Sequence, residues 1–127
     1  MKSKQNLKRL YFGAPAATMA LEALIAAGGR SFVVIGGAGS INPRLRIGDV
    51  LIPTWGVREE GTSYHYAPPD HMPKPSTRLA NMLYEELKKL KGMRKFRVVK
   101  GGIWSIDAFS GKPWIRLRST VRWESMV

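Results

Sequence analysis

The segment that most constrains the fold is residues 31–54, in which a glycine-rich turn separates two short apolar runs. The first run, residues 32–35, is apolar at every position, and the second, residues 50–52, follows a Gly-Asp pair. Short β-branched runs bounded by Gly, Asn, Pro and Asp predict strands. A run without polar alternation is typical of a strand buried on both faces of a sheet. We therefore expect residues 32–35 and 50–52 to be strands of a central sheet covered by helices.

The turn between these runs consists of Gly36, Gly37, Ala38, Gly39 and Ser40. Glycine lets a ligand approach the backbone closely, and it also permits turns that other residues resist. The spacing differs from that of a dinucleotide-binding fingerprint or a Walker loop, and the chain has no nucleophile elbow. The residues alone therefore leave two interpretations open, a turn that cradles an anion or nucleoside and a purely structural turn.

Two helices and a further strand complete the predicted elements. The first helix opens at Gly13-Ala14-Pro15, because proline is tolerated in a first turn, and it ends at Gly28-Gly29. Residues 76–90 predict a second helix with Glu85 and Lys89 paired on its exposed side. Its buried stripe is predicted to be Leu79, Leu83, Leu87 and Leu90. Residues 96–104 predict a strand that ends in a polar turn at residues 105–107, which together indicates a layered α/β fold.

Residues 53–75 are predicted to be a long connection rich in aromatic and hydrogen-bonding side chains. Such a connection is typical of a pocket wall for a planar polar ligand, and equally of a loop packed by its own aromatic residues. His65, Asp70 and His71 lack the spacing of a recognised metal site, so no metal is predicted. Both interpretations of the connection stay open at this point.

The formal net charge of +12 predicts attraction to anions but does not select a fold. Thirteen of the 21 basic residues lie in residues 74–122. No recognised RNA- or DNA-binding motif is present, so a solvated basic surface is favoured over nucleic-acid binding. The sequence has no cysteine, no run long enough to cross a bilayer and no signal-peptide pattern, which predicts a cytoplasmic protein without a membrane partner. Scarce Asn and Gln beside abundant Lys and Arg hint at a thermophile.

We expect a single domain, residues 1–127, with a basic arm at residues 1–10. The tail comprises residues 112–127. Over residues 115–123 mostly apolar side chains alternate with mostly basic ones, which predicts a strand with one basic face.

Three successive segments resemble the nucleoside phosphorylase family, in particular its uridine phosphorylase-like branch. They are GAPAATMALEALIAAGG, VVIGGAGSINPRLRIGDVLIPT and VREEGTSYHYAPP, at residues 13–29, 33–54 and 57–69. GIWSIDAF at residues 102–109 extends the resemblance, and the WESM of residues 123–126 is similar to the family's ribose-binding motif. The resemblance implies a three-layer α/β/α fold with a mixed central sheet, incomplete relative to the family at both ends.

The resemblance also implies a function, the phosphorolysis of a nucleoside N-glycosidic bond. Phe109 would stack on the base and Glu124 would accept hydrogen bonds from the ribose hydroxyls. The turn of Gly36, Gly37, Ala38 and Gly39 would lie against phosphate and sugar. The family needs no cofactor and takes inorganic phosphate as co-substrate. Its members are dimers or larger homo-oligomers, so the implied partners are nucleoside, phosphate and further copies of the chain.

Two departures from the family pattern concern phosphate. The family carries an Arg in the strand before the glycine turn and a Thr or Ser within the turn, where this chain has Val34 and Gly37. A valine cannot hold an oxyanion, so the catalytic residues are left unassigned and activity is expected to be impaired or lost. The alternatives are a hydrolytic nucleosidase and a non-catalytic scaffold that binds nucleotides or RNA.

Overall fold

The computed structural model describes residues 13–90 and 96–108. In chain order the elements are helix α1 (Ala14–Ala26), strand β1 (Val50–Glu59), a 3₁₀ turn (Ser63–His65), helix α2 (Thr77–Leu90) and strand β2 (Val98–Ile106). β1 and β2 pair in parallel, which confirms the predicted α/β class. Within the described residues the sheet is smaller than the resemblance implies, as expected of an incomplete fold. No helix in this part of the chain has the length and apolar character to cross a membrane.

Helix α1 begins and ends where the sequence predicts. Gly13 precedes it with φ of 98° and Gly28 follows it with φ of 93°, both in the left-handed region that favours glycine. Pro15 occupies the first turn, where its missing N–H costs no hydrogen bond. No residue of α1 is buried, so its apolar side chains, such as Met19 and Ile25, are uncovered by the described residues.

The strand predicted for residues 32–35 is wrong for this structure. Residues 31–40 have no regular secondary structure, and Val33, Val34 and Ile35 are 53%, 75% and 90% exposed. A strand needs a neighbour to satisfy its backbone donors and acceptors. The described residues offer this segment no such neighbour, so its β propensity is not realised in a ladder.

Strand β1 is longer than the sequence predicts and absorbs the start of the predicted connection. It continues past Pro53 to Glu59, and the parallel ladder changes register between Pro53 and Trp55. Proline lacks a backbone N–H, so it is tolerated in a strand at such an irregularity. β2 likewise continues to Ile106, through the position where a polar turn was expected.

Helix α2 covers the sheet and supplies part of a small core. Ile52 from β1 and Ala80 from α2 are its buried apolar residues among those described. Ser76 caps the helix by accepting a hydrogen bond from the Leu79 N–H at 3.4 Å. Three of the four predicted stripe leucines are half-buried, whereas Leu90, in the last turn, is 47% exposed. The predicted pair of Glu85 with Lys89 is wrong, since Lys89 pairs with Glu86 at 2.5 Å.

An ion pair closes the end of the sheet at which both strands begin. The Arg97 side chain donates to Asp49 Oδ2 from Nη2 at 2.5 Å and from Nε at 3.0 Å. The backbone N–H groups of Arg46 and Arg97 also donate to this carboxylate. These hydrogen bonds, with that from the Arg97 side chain foremost, hold the pKa of Asp49 well below its ordinary value.

This lowered pKa predicts a loss of stability in acid. A carboxyl group with a lowered pKa in the folded state stabilises the fold above its unfolded pKa, about 3.9, and that contribution disappears as the pH falls further. Urea unfolding between pH 7 and pH 2 should therefore show the wild type losing stability below about pH 4. Asp49→Asn removes the titrating group and should show a shallower acid dependence. Identical pH profiles for the two proteins would contradict the assignment.

Candidate functional site

The site is built at the edge of the sheet where both strands end. Glu59 of β1 lies opposite Ile106 of β2, so the segments that follow them leave the sheet side by side. The outer edge at the carboxyl ends of parallel strands is where α/β folds commonly bind ligands. Residues 60–73, which follow β1, and Asp107, which follows β2, form this edge, and we call residues 60–73 the edge loop.

A buried carboxylate organises the start of the edge loop. Glu60 is only 7% exposed, and its oxygens accept hydrogen bonds from the Thr62 and Ser63 N–H groups at 2.9 Å and from the Ser63 hydroxyl. Burial raises the pKa of Glu60, but these hydrogen bonds and the nearby Arg58 charge outweigh it and leave the pKa below its ordinary value. The carboxylate is thus ionised at neutral pH and fixes the turn.

Arg58 fixes the remainder of the edge loop. Its guanidinium donates to the carbonyls of Pro68 at 2.7 Å, Ala67 at 2.9 Å and His71 at 3.1 Å. Its Nε donates to the Ser63 hydroxyl at 2.8 Å. One side chain near the end of β1 therefore satisfies three loop carbonyls, an arrangement suited to the planar fork of arginine.

Aromatic residues and main-chain contacts complete the loop. The Tyr64 ring lies 4.5 Å from the Arg58 guanidinium, and its hydroxyl donates to the Arg58 carbonyl at 2.9 Å. At the far end, Gly56 N–H donates to the Pro73 carbonyl at 3.0 Å. The edge loop is therefore held mainly by polar contacts, while Tyr64 and Tyr66 stay 45% and 63% exposed.

Two contacts join the edge loop to the rest of the chain. Asp107 Oδ2 accepts a hydrogen bond from the Gly61 N–H at 2.9 Å, which ties the loop to the end of β2. Tyr66 donates from its hydroxyl to Glu22 of α1 at 2.5 Å, and this bond raises the pKa of Tyr66. The edge loop thus links the sheet with α1.

Sequence reasoning did not identify Arg58, Glu60 or Asp107 as organising residues. A signal was present, because an acidic residue three positions before a serine can accept hydrogen bonds from the intervening turn. The partner of Asp107 could not be found in this way, since Gly61 lies 46 residues away along the chain.

We expect Arg58→Met to destabilise the protein by about 3 kcal/mol, because three loop carbonyls and the Ser63 hydroxyl lose a charged donor. Urea unfolding gives the stability, and hydrogen exchange should show faster exchange across the edge loop. Arg78→Met is the matched control, since Arg78 is an exposed residue in the first turn of α2. Equal stability of the two variants would contradict the role given to Arg58.

The turn predicted at the glycine-rich residues 36–40 is not present in this structure, in which the segment is irregular and open. A Cβ atom on Gly36, Gly37 or Gly39 would meet no atom within 4 Å in the described parts of the chain, its immediate chain neighbours aside. None of these glycines has a positive φ. The Ser40 hydroxyl bonds to the Asn42 backbone on the polar side of the segment. Neither backbone strain nor crowding by the described residues therefore accounts for the glycines.

Some of the predicted site residues lie in the described part of the chain and others lie outside it. Gly36, Gly37 and Gly39 lie in the open irregular segment, together with Ala38, and Val34 precedes it with its side chain exposed. Phe109 and Glu124, the candidate base- and ribose-binding residues, lie outside the described residues, as does the predicted strand at residues 115–123. Within the described residues His65, Asp70 and His71 belong to no group that could hold a metal ion.

The sequence is similar to those of several bacterial uridine phosphorylases. A uridine phosphorylase from Klebsiella aerogenes is 31% identical over 121 residues, which cover 90% of this chain and 48% of that protein. The uridine phosphorylase of Haemophilus influenzae is 30% identical over 122 residues with the same coverage of each chain. Over 56 residues, which are 44% of this chain and 22% of the relative, the uridine phosphorylase of Escherichia coli is 45% identical. No solved structure matches the chain significantly.

The chain spans about half the length of the curated relatives it matches over most of its own length. The structure is accordingly a partial domain, with helices and a parallel sheet, of a nucleoside phosphorylase-like fold. The family model described as the phosphorylase superfamily matches residues 7–123, nearly the whole sequence. This match confirms the resemblance read from the glycine turn and the segments around it, and the chain belongs to the phosphorylase superfamily.

Proposed function

We propose that the chain is a nucleoside-binding, uridine phosphorylase-like domain in which phosphorolysis is impaired. The observation that carries this proposal is the alignment with uridine phosphorylases over 90% of the chain. Phosphorolysis needs phosphate held on one side of the ribose and the departing base stabilised on the other. In this proposal the turn of Gly36, Gly37, Ala38 and Gly39 faces phosphate and sugar. Phe109 stacks on the base and Glu124 binds the ribose.

The impairment is proposed because phosphate lacks its expected ligands. Val34 and Gly37 stand where the resemblance places an arginine and a hydroxyl residue, and Val34 presents an exposed apolar side chain. An oxyanion binds best to charged donors, and a hydrophobic side chain offers none. Uridine affinity can survive this loss, since base and ribose are held by other groups.

The test is to measure uridine binding by calorimetry and base release by chromatography, with and without phosphate. We expect saturable uridine binding together with base release that is slow and gains little from phosphate. Inosine and methylthioadenosine serve as comparison substrates for the preferred base. Robust phosphate-dependent release would overturn the impairment, and absence of uridine binding would overturn the proposed function itself. Formation of free ribose instead of ribose 1-phosphate would indicate a hydrolytic nucleosidase.

A homodimer or larger homo-oligomer is part of the same proposal. Its support is the apolar surface of the described residues, where Ile25, Val34, Ile35 and Ile47 are all exposed. Where such side chains form one contiguous surface, that surface marks an interaction site more often than a free one. Sedimentation velocity should give at least the mass of a dimer, and a clean monomer would contradict this part of the proposal.

A further inference from the structure

The end of β2 carries a carboxylate to which the proposed chemistry gives no role. Asp107 directly follows Ile106, the last residue of β2, and its Oδ2 accepts the hydrogen bond from Gly61 N–H at 2.9 Å. Gly61 lies in the edge loop, two residues after Glu59, the last residue of β1. The bond therefore fastens the exit of one strand to the exit of its parallel neighbour.

The donor of this bond lies in a turn that several hydrogen bonds hold together. Gly61 lies between the buried Glu60 carboxylate and the Thr62 N–H that donates to it at 2.9 Å. The turn is braced again by Arg58, which donates to the Ser63 hydroxyl at 2.8 Å. A donor fixed in this way constrains its acceptor, so the Asp107 side chain and the backbone that carries it have a defined position against the loop.

We propose that Asp107 is a positioning residue for nucleoside binding, which acts by fixing the direction in which the chain leaves β2 toward Phe109. This inference rests on the proposed function, in which Phe109 stacks on the base. Phe109 is only two residues beyond Asp107, and consecutive Cα atoms are about 3.8 Å apart. So short a segment has few backbone dihedral angles with which to compensate for a changed starting direction. Displacements of about 1 Å in a binding group are enough to weaken its contacts severely.

The experiment compares Asp107→Ala with Asp107→Asn by calorimetric titration of the full chain with uridine, at a temperature where urea unfolding shows every variant folded. Alanine removes the acceptor, whereas the asparagine amide oxygen can still accept from Gly61 N–H. We expect Asp107→Ala to weaken uridine binding about tenfold and Asp107→Asn to stay within about threefold of the wild type. Hydrogen exchange at the Gly61 amide should accelerate in the alanine variant alone.

Phe109→Leu shows whether the effect passes through Phe109. If Asp107 acts by placing that ring, Asp107→Ala should weaken binding little further in a Phe109→Leu background, because the two changes share one interaction. Fully additive losses, or an alanine variant that binds uridine like the wild type, would overturn the positioning role while leaving the proposed function intact. A wild-type protein without uridine affinity would overturn the proposed function and this inference together, even if Gly61 exchange responds to the substitution.

Discussion

Replacing Gly102 with alanine should destabilise the fold by about 1–3 kcal/mol, because the added methyl group would collide with an aromatic ring. Gly102 of β2 lies opposite Trp55 of β1 in the parallel ladder. A Cβ atom at this position would collide with Trp55 Cζ2 and would come within 2.6 Å of Cη2. Real Cβ atoms do not tolerate such distances, so either the indole or the strand must move.

The measurement is urea unfolding, with a matched glycine as control. Gly37→Ala adds the same methyl group where no atom of the described residues lies within 4 Å and where φ is not positive, so its stability should stay within about 0.5 kcal/mol of the wild type. Trp55→Ala combined with Gly102→Ala completes a double-mutant cycle. The glycine substitution should cost little once the indole is gone, and an undiminished cost there would show that the ring contact is not its cause.

The ladder between Trp55 and Gly102 also shows where sequence reasoning succeeded and where it failed. Both glycine-bounded ends of α1 and the start of α2 follow from local signals, namely a proline in the first turn, glycines at the ends and a serine cap. The continuation of β1 past Pro53 does not follow from local signals, because it depends on pairing with β2, nearly fifty residues away. Whether a segment forms a strand depends on the strands that pair with it, and a local sequence pattern does not reveal those partners.

The same distinction applies to the candidate site. The glycine-rich segment at residues 36–40 can be recognised in the sequence, although the structure has no turn there, whereas the bond between Asp107 and Gly61 joins residues that only the fold brings together. The segment at residues 32–35 shows the opposite error. Its β-branched run satisfies every local criterion for a buried strand, yet Ile35 is 90% exposed because no ladder partner exists in the described residues. Propensity predicts a strand only where a partner is available.

A gain of phosphorolysis is the second large effect that we predict. The double variant Val34→Arg with Gly37→Thr should raise phosphate-dependent uracil release from uridine by about tenfold or more. The arginine would supply a charged, bidentate donor for phosphate, and the threonine would supply a hydroxyl within the turn. Both changes restore the residue types that the resemblance places at these positions.

The structure accommodates both substitutions. Val34 is 75% exposed, so an arginine there does not have to bury its charge. Gly37 has no positive φ, and a Cβ atom there would meet no described residue within 4 Å. Neither change should therefore reduce stability by more than about 0.5 kcal/mol, which urea unfolding would verify.

Val33→Arg with Gly37→Thr is the matched control, because it adds the same charge one residue earlier, at a side chain that is 53% exposed. A general attraction of phosphate to added positive charge would raise activity equally in both double variants. Direct binding of phosphate by a guanidinium at position 34 would raise activity only in the variant that carries Val34→Arg. It would also lower the KM for phosphate more than the KM for uridine. Equal gains in the two variants, or none in a stably folded Val34→Arg protein, would contradict the proposal that the residue at position 34 limits phosphate binding.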